Sequence, residues 1–266
     1  MPIYIDQMMR KVEVTSAPLR IVSLVPSQTE LLYDLGLKEE VVGITKFCIH
    51  PNEWFKTKTR IGGTKQVNHQ IIDALKPDLI FGNKEENSKE DIDILMQKYP
   101  VWMSDINTFE DALKMIESIA KITQTSEKGK ELVEKIKHEF ELLTQISSSK
   151  KHIAYFIWNE PMMLAGADTF INNMLEKLGF KNVFADVSIS NQFSYRYPQI
   201  TYAELAVAAP EIIYLSSEPF PFKEKHIQQF QAICPQAEIK IVDGEMFSWY
   251  GSRMAMAPAY FKTLIA

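Results

Sequence analysis

The sequence predicts an α/β protein with two lobes, each a parallel-type sheet flanked by helices, joined by a single long helix. In both the early and the late parts of the chain, apolar β-rich runs alternate with amphipathic runs. From residue 108 to 149 the strand pattern stops and only helical spacing remains. Alternating strands and helices favour parallel sheets covered on both faces. We therefore expect an N-terminal lobe at 1–124, a linking helix at 125–148 and a C-terminal lobe at 149–266.

The first strand, turn and helix follow one another within a short stretch of chain. Arg20 to Val25 is an apolar run suited to a buried parallel strand, and an amphipathic run then continues to Gly36. We expect Ser27 to cap this helix, with Glu30 three residues later completing a capping box. Gly36 has the residue type that commonly ends a helix.

The alternation continues through both predicted lobes. In the N-terminal lobe we expect further strands at 41–45, 78–81 and 101–103 and helices at 71–75 and 88–98. In the C-terminal lobe we expect strands at 153–158, 211–215 and 239–242 and helices at 169–178, 202–208 and 223–232.

The middle of the chain predicts two helices, with a break at Thr123 to Ser126. The second helix should run from about Glu127 to Ile146, because apolar residues recur there at helical spacing. At roughly 1.5 Å per residue, its roughly 20 residues would form a rod of about 30 Å, long enough to join two lobes. Spacing alone leaves open the alternative that this helix packs on one sheet.

Composition and charge exclude several classes of function. With 46% hydrophobic and 24% charged residues, the chain resembles an ordinary folded protein. Its formal net charge of −5 gives no basic field, so we expect no nucleic-acid partner. No stretch approaches the roughly 18 apolar residues of a membrane span. Residues 1–14 mix charged with apolar side chains and lack an export signal, so we expect a cytoplasmic location unless a signal was removed upstream.

Common enzyme motifs are absent from the sequence. No GxGxxG follows the first strand, and the chain contains no Walker lysine loop and no GxSxG elbow. Glu85, Glu86 and Glu218 could act as acid or base, but no nucleophile accompanies them. Cys48 and His50 lack a second pair at metal-ligand spacing. We therefore expect no enzyme, no catalytic residue, no protein-built metal site and no covalently bound cofactor.

Candidate ligand-binding residues lie just after the predicted strands, because open parallel sheets bind ligands beyond their carboxyl ends. The densest stretch is 243–253, where three aromatic residues and Arg253 stand near two glycines. Aromatic faces with one fixed cation suit a flat, partly anionic ligand. The alternative is that Phe247 and Trp249 are plugs at the lobe interface. The predicted ligand-binding residues are Gln28, Phe47, His50, Lys65, Asn83, Trp158, Tyr195, Arg196, Glu218, Phe247, Trp249, Tyr250 and Arg253.

Two strings in the sequence resemble a known family. The run RIVSLVPSQTE at 20–30 is similar to the opening strand and helix of the helical-backbone (class III) periplasmic binding proteins, which serve iron-siderophore, haem and vitamin B12 importers. The run DALKPDLI at 73–80 is similar to that family's ALKPDLI signature. The resemblance extends from about Arg20 to the C-terminus. It places the predicted linking helix at the family's rigid backbone helix.

The resemblance implies a substrate-binding protein that holds a corrinoid, a siderophore or haem in the cleft between its lobes. The cobalamin-binding branch is the most similar one, and it implies that Phe47, Trp158, Phe247 and Trp249 lie in or near the ligand-lining loops. Two alternatives remain: a cytosolic enzyme or sensor acting on a similar ligand, and a structural module with an empty cleft.

The family resemblance also implies a transport partner. Members dock on the permease of an ABC importer through an exposed glutamate on each lobe. Glu85, Glu86 or Glu90 fits this role on the first lobe, whereas Ser248 stands at the matching place on the second. Since an export signal and that second glutamate are both missing, the sequence favours a cytoplasmic relative that stores, senses or delivers its ligand over an importer receptor.

Overall fold

The computed structural model, which describes residues 1–14, 17–146, 150–185 and 196–265, contains two α/β units. Unit 1 consists of Met1–Ile106, Glu110–Ile136 and Trp249–Ala255. Unit 2 consists of Asn107–Phe109, Lys137–Ser248 and Met256–Ala266. Trp249–Ala255 lies near the C-terminus of the sequence but belongs to unit 1, and we call this segment the strap.

Unit 1 combines a short hairpin, a parallel sheet and flanking helices. Its strands are β1 (Ile3–Ile5), β2 (Lys11–Glu13), β3 (Ile21–Ser23), β4 (Val41–Ile44), β5 (Thr59–Arg60), β6 (Leu79–Asn83) and β7 (Val101–Ser104). Its helices are α1 (Pro26–Asp34), α2 (Asn52–Thr57), α3 (His69–Leu75), α4 (Lys89–Met96), most of α5 (Phe109–Ile122), the first part of α6 (Ser126–Ile146) and a 3-10 helix (Ser252–Ala255). β1 and β2 pair antiparallel.

Sheet 1 has five parallel strands in the order β5-β4-β3-β6-β7. All residues of β3 and β6 are buried, as expected for a parallel sheet covered on both faces. The chain moves from β3 to β4 on one side and later to β6 on the other, so the strand order reverses between β3 and β6. The crevice beyond such a reversal is where open α/β sheets bind ligands.

Unit 2 repeats this architecture. Its strands are β8 (His152–Trp158), β9 (Met163–Leu164), β10 (Lys181–Asn182), β11 (Ile212–Ser216) and β12 (Glu238–Val242). Its helices are α7 (Phe170–Lys177), α8 (Tyr202–Ala208), α9 (Glu224–Ile233), α10 (Gly244–Ser248) and α11 (Ala257–Ile265). Sheet 2 has the parallel order β10-β8-β11-β12, with β9 antiparallel on β8. Here the strand order reverses between β8 and β11.

The predicted α/β fold class is confirmed, and each predicted strand and helix is present with ends within two residues of the prediction. The expected break between the two middle helices lies between Ile122 and Ser126. The division at 1–124, 125–148 and 149–266 stays a prediction. The hairpin, α2, β5, β9, β10, α10 and α11 were not predicted, because most are short and none carries a long apolar period.

The start of α1 differs from the prediction. Val25 is its N-cap residue and Pro26 is its first helical residue, with no side-chain cap. Proline at this position pre-sets the helical φ and lacks the N–H that would need a partner. The predicted capping box of Ser27 and Glu30 is therefore wrong, since both residues lie inside the helix. Gly36 does end it, with a φ of 90°.

Helices α5 and α6 approach closely at Gly129. A Cβ placed on Gly129 would lie 2.3 Å from the Cβ of Ala120. We expect Gly129→Ala to lower the free energy of unfolding by about 1 to 3 kcal/mol through overpacking. This would occur although alanine normally stabilises a helix interior by about 1 kcal/mol relative to glycine.

Urea unfolding would measure this difference. The double variant Ala120→Gly with Gly129→Ala should lose less free energy of unfolding than the two single variants lose in sum, because Ala120→Gly removes the methyl group with which the new side chain clashes. Unchanged or increased stability of Gly129→Ala would show that the two helices are not held this closely.

Candidate functional site

Buried polar side chains join the central strands at the carboxyl edge of sheet 1. Gln28 Nε2 donates to Ser104 Oγ at 2.6 Å, and Asn83 Nδ2 donates to the same oxygen at 2.9 Å. All three residues are buried. Gln28 Oε1 is buried and accepts no hydrogen bond from the described residues. The structure thus brings the predicted residues Gln28 and Asn83 together through a serine that the sequence did not single out.

The loop after β6 is shaped by Asn83. Its Oδ1 accepts hydrogen bonds from the backbone N–H groups of Glu85 and Glu86, at 2.8 and 3.0 Å. Lys65, from the loop after β5, donates to the carbonyl oxygen of Glu85. Lys65 is exposed. This loop therefore holds one predicted cation beside the two glutamates that the resemblance implicates in docking.

The loop after β4 exposes an aromatic ring at the same edge. Phe47 is 50% exposed, and Lys46 Nζ lies 5.1 Å from its ring centroid. Cys48 beside it is buried and accepts a hydrogen bond from Thr29 Oγ1. Burial raises the pKa of the Cys48 thiol, which favours the neutral form. Among the described residues, no three His, Cys, Asp or Glu side chains come together as metal ligands.

The strap places several predicted site residues against unit 1. Within 243–253, the helix α10 and the start of the 3-10 helix, neither of which the sequence predicts, occupy seven of the residues. Trp249 is buried, with its ring 5.4 Å from the ring of His50 and 4.7 Å from Cζ of Arg253. At Gly251, where φ is 122°, a Cβ would lie 3.2 Å from the carbonyl oxygen of Ser27.

Arg253 forms a bidentate ion pair with Glu30 of α1. Its Nε and Nη2 donate to the two carboxylate oxygens at 2.9 and 2.7 Å, and the two side chains are only 8% and 12% exposed. Burial raises the pKa of Glu30, although the Arg253 hydrogen bond opposes the rise. Arg253 therefore holds the strap on α1, and its predicted contact with a ligand stays a prediction.

Tyr250, which also belongs to the strap, is buried. Burial raises the pKa of its hydroxyl well above the ordinary value, and the negative charge of Glu86 adds to the rise. The hydroxyl consequently stays protonated at any physiological pH and can only act as a neutral hydrogen-bonding group.

The carboxyl edge of sheet 2 carries an aromatic pair of one exposed and one partly buried ring. Trp158, which ends β8, is 40% exposed, and its ring lies 5.6 Å from that of Phe220. Glu218, in the loop after β11, accepts a hydrogen bond from Ser248 Oγ at 2.7 Å. Asn159 Oδ1 is buried and accepts no hydrogen bond from the described residues. These loops flank the reversal between β8 and β11, where a ligand is expected.

Phe247 lies in a different environment from Trp158. Its side chain is fully buried in α10, with ring centroids 4.6 Å from Phe261 and 5.1 Å from Tyr155. It presents no surface in this structure and packs as a core residue. Its part in lining a ligand site stays a prediction.

The third predicted cation, Arg196, belongs to unit 2. Its Nη1 donates to Asn107 Oδ1 at 2.6 Å, so the guanidinium is oriented by a neighbouring amide. Tyr195, predicted with it, lies outside the described residues.

Comparison with known proteins assigns the fold to a family. A family model described as periplasmic binding protein matches residues 21–233. The chain belongs to this family. The resemblance seen in the sequence is therefore confirmed, and the family consists of substrate-binding proteins rather than enzymes.

Three relatives illustrate the family. The chain is 31% identical over 196 residues to an uncharacterised ABC transporter substrate-binding lipoprotein, YvrC, of Bacillus subtilis, covering 70% of this chain and 62% of that protein, which is less than two thirds of its length. It is 24% identical over 245 residues to a vitamin B12-binding protein of Photorhabdus laumondii, covering 91% and 86%. The solved structure of a periplasmic catecholate-siderophore binding protein, VctP of Vibrio cholerae, superposes with a TM-score of 0.80 at 14% identity, covering 98% and 99%, and shows the fold alone.

These relatives are described as a lipoprotein and a periplasmic protein, so they give no support to the expected cytoplasmic location. In the part of the chain that the structure describes, no helix is long and apolar enough to cross a lipid bilayer.

The Arg253–Glu30 ion pair generates a stability prediction. We expect Arg253→Met to lower the free energy of unfolding by about 3 to 5 kcal/mol, because the Glu30 carboxylate then stays buried without the guanidinium. Denaturant unfolding of Arg253→Met and of the double variant Glu30→Met with Arg253→Met would test this. The double variant should recover most of the loss.

The opposite outcome is also informative. If Arg253→Met folded with unchanged stability and lost only ligand affinity, Arg253 would be the ligand cation predicted from the sequence rather than the residue that holds the strap.

Proposed function

We propose that this protein is the substrate-binding component of an ABC importer and carries a corrinoid or another metal chelate. The observation that carries the proposal is the family match over 21–233, together with exposed aromatic rings at the carboxyl edge of each sheet. Phe47 and Trp158 are large apolar side chains left 50% and 40% exposed where α/β sheets bind ligands.

Within the chelate class, we propose a corrinoid as the first candidate. The vitamin B12-binding relative aligns along 91% of the chain, which supports this choice. Arg253 is already paired with Glu30, and Arg196 donates to Asn107. Since these cations have partners within the protein, aromatic contact rather than charge neutralisation should supply most of the binding free energy. A ligand whose charge is balanced by its own metal suits such a site better than a polyanion.

We propose that the partner is an ABC permease and that binding occurs outside the cytoplasm, as the names of the relatives indicate for them. On unit 1, Glu90 is exposed and Glu85 and Glu86 are half-buried, so all three remain candidates for docking. On unit 2, Ser248 is bonded to Glu218, which offers a carboxylate close to the position where the expected glutamate is missing.

Ligand titration tests the proposed function. We expect cobalamin to bind the purified protein saturably, measured by isothermal titration calorimetry beside haem and a ferric siderophore. Trp158→Ala should raise the dissociation constant for the bound ligand at least about tenfold, because a central aromatic side chain commonly contributes that much to binding.

Tyr202→Ala is the matched control. Tyr202 is also an exposed aromatic residue of unit 2, at 50%, but it lies at the start of α8 rather than beyond a strand end. Its removal should leave the dissociation constant unchanged. Failure of all three ligands to bind the wild-type protein would reject the proposal, and saturable binding of haem alone would redirect it to that ligand.

A further inference from the structure

A single buried amide, Asn87, connects three loops at the carboxyl edge of sheet 1. Its Nδ2 donates to the carbonyl oxygens of Leu24 and Thr64, at 3.3 and 3.0 Å. Its Oδ1 accepts from the backbone N–H of Asn83 at 2.8 Å. Only 5% of the residue is exposed. These partners lie after β3, after β5 and at the end of β6, so one side chain fixes the relative position of three strand ends.

The place of these bonds in the sheet gives them their significance. β3 and β6 are the neighbouring strands between which the strand order reverses. The hydrogen bond from Asn87 to Leu24 runs from the loop after β6 to the end of β3. It therefore joins the two strand ends at the strand-order reversal, beyond which a sheet of this kind binds its ligand.

The surrounding structure leaves the amide little freedom. A Cβ added at Gly82 would lie 2.9 Å from Asn87 Oδ1 and 2.6 Å from Met103 Sδ. Glycine at this position thus permits the close approach of the Asn87 amide to β6. The Leu24 carbonyl oxygen that it satisfies is buried together with it, whereas its hydrogen bond to Thr64 is part-buried. A buried acceptor without a donor is costly.

We propose that Asn87 is a positioning residue for ligand binding by unit 1. It holds the end of β6, where Asn83 lies, against the loop that carries Lys65. Asn83 and Lys65 are two of the residues predicted to bind the ligand, and Asn87 itself does not contact the ligand. This inference rests on the proposed function, since it assumes that the carboxyl edge of sheet 1 receives a ligand.

Asn87→Asp is the sharpest variant. Aspartate keeps the size of the side chain and the acceptor for the Asn83 N–H, but as a carboxylate it has no N–H to donate to Leu24 and Thr64. The three loops should then sample other arrangements. Only molecules whose three loops have the binding arrangement can take up ligand. The apparent association rate therefore falls in proportion to the fraction of molecules in that arrangement.

Asn182→Asp is the matched control. Asn182 is also buried, at 7% exposed, and its Nδ2 donates to the carbonyl oxygen of Ala165 and to Asn172 Oδ1, at 2.8 and 2.9 Å. Its Oδ1 accepts from the N–H of Phe184. Its neighbour Lys181 pairs with His152 at the start of β8, so this amide lies toward the amino end of sheet 2.

Two measurements decide the proposal, both at a temperature where circular dichroism shows each variant folded. The first is amide hydrogen exchange without ligand: Asn87→Asp should speed exchange at Asn83, Glu85 and Glu86, while Asn182→Asp should not. The second is stopped-flow association of cyanocobalamin, which should slow about tenfold in Asn87→Asp and stay at the wild-type rate in Asn182→Asp.

The outcomes separate the positioning role from the proposed function. Wild-type exchange at the three amides in Asn87→Asp, or equal slowing of cyanocobalamin association in both variants, would overturn the positioning role. If the wild-type protein does not bind cyanocobalamin, the corrinoid proposal fails, and hydrogen exchange alone then decides whether Asn87 positions the loops.

Discussion

The parallel pairing of β3 with β6 constrains the rest of the carboxyl edge of unit 1. Parallel neighbours place their carboxyl ends side by side, so loops that are far apart in the sequence meet there. These loops contain backbone groups that no strand can satisfy, and buried groups of this kind need other partners. Gln28 and Ser104 donate to the carbonyl oxygen of Gly82. Asn83 and Asn87 bond further backbone groups of these loops through their side-chain amides. The side-chain hydrogen bonds at this edge therefore follow from satisfying the ends of the strands.

The strap shows a second way in which the edge is stabilised. Its residues follow α10 of unit 2 in the sequence, yet Arg253 pairs with Glu30 and Trp249 packs on His50, both of unit 1. A buried ion pair contributes little net stability when it is intact, because desolvation offsets the attraction, but breaking one partner is strongly destabilising. The pair therefore acts mainly to specify where the strap docks. This explains why an arginine in an aromatic segment need not be a ligand contact.

The sequence was informative where a physical signal is local and periodic. The helix Ser126–Ile146 and the break before it were predicted within a residue, because apolar spacing and the run of short polar residues act on their own neighbourhood. The predicted N-cap at Ser27 was wrong for an equally local reason, since Pro26 starts the helix without a side-chain cap. Phe47 and Phe247 both follow a strand in the sequence, which gives no basis for distinguishing them. In the structure Phe47 is half exposed, whereas Phe247 is fully buried. Asn87 was missed because two of its three partners, Leu24 and Thr64, are distant in the sequence, and only the sheet order brings them together.

The pattern of burial favours a ligand recognised by shape. The aromatic rings of Phe47 and Trp158 are exposed where the backbone is fixed, whereas the guanidinium of Arg253 is buried and neutralised by Glu30. An aromatic side chain has only two χ angles, so covering it with a ligand costs little conformational entropy and its apolar contact is retained in the affinity. A buried guanidinium would first have to leave its carboxylate, and that separation would oppose binding by several kcal/mol. On either unit, the proposed chelate would therefore gain more from apolar contact with the exposed aromatic ring than from charge neutralisation by Arg253.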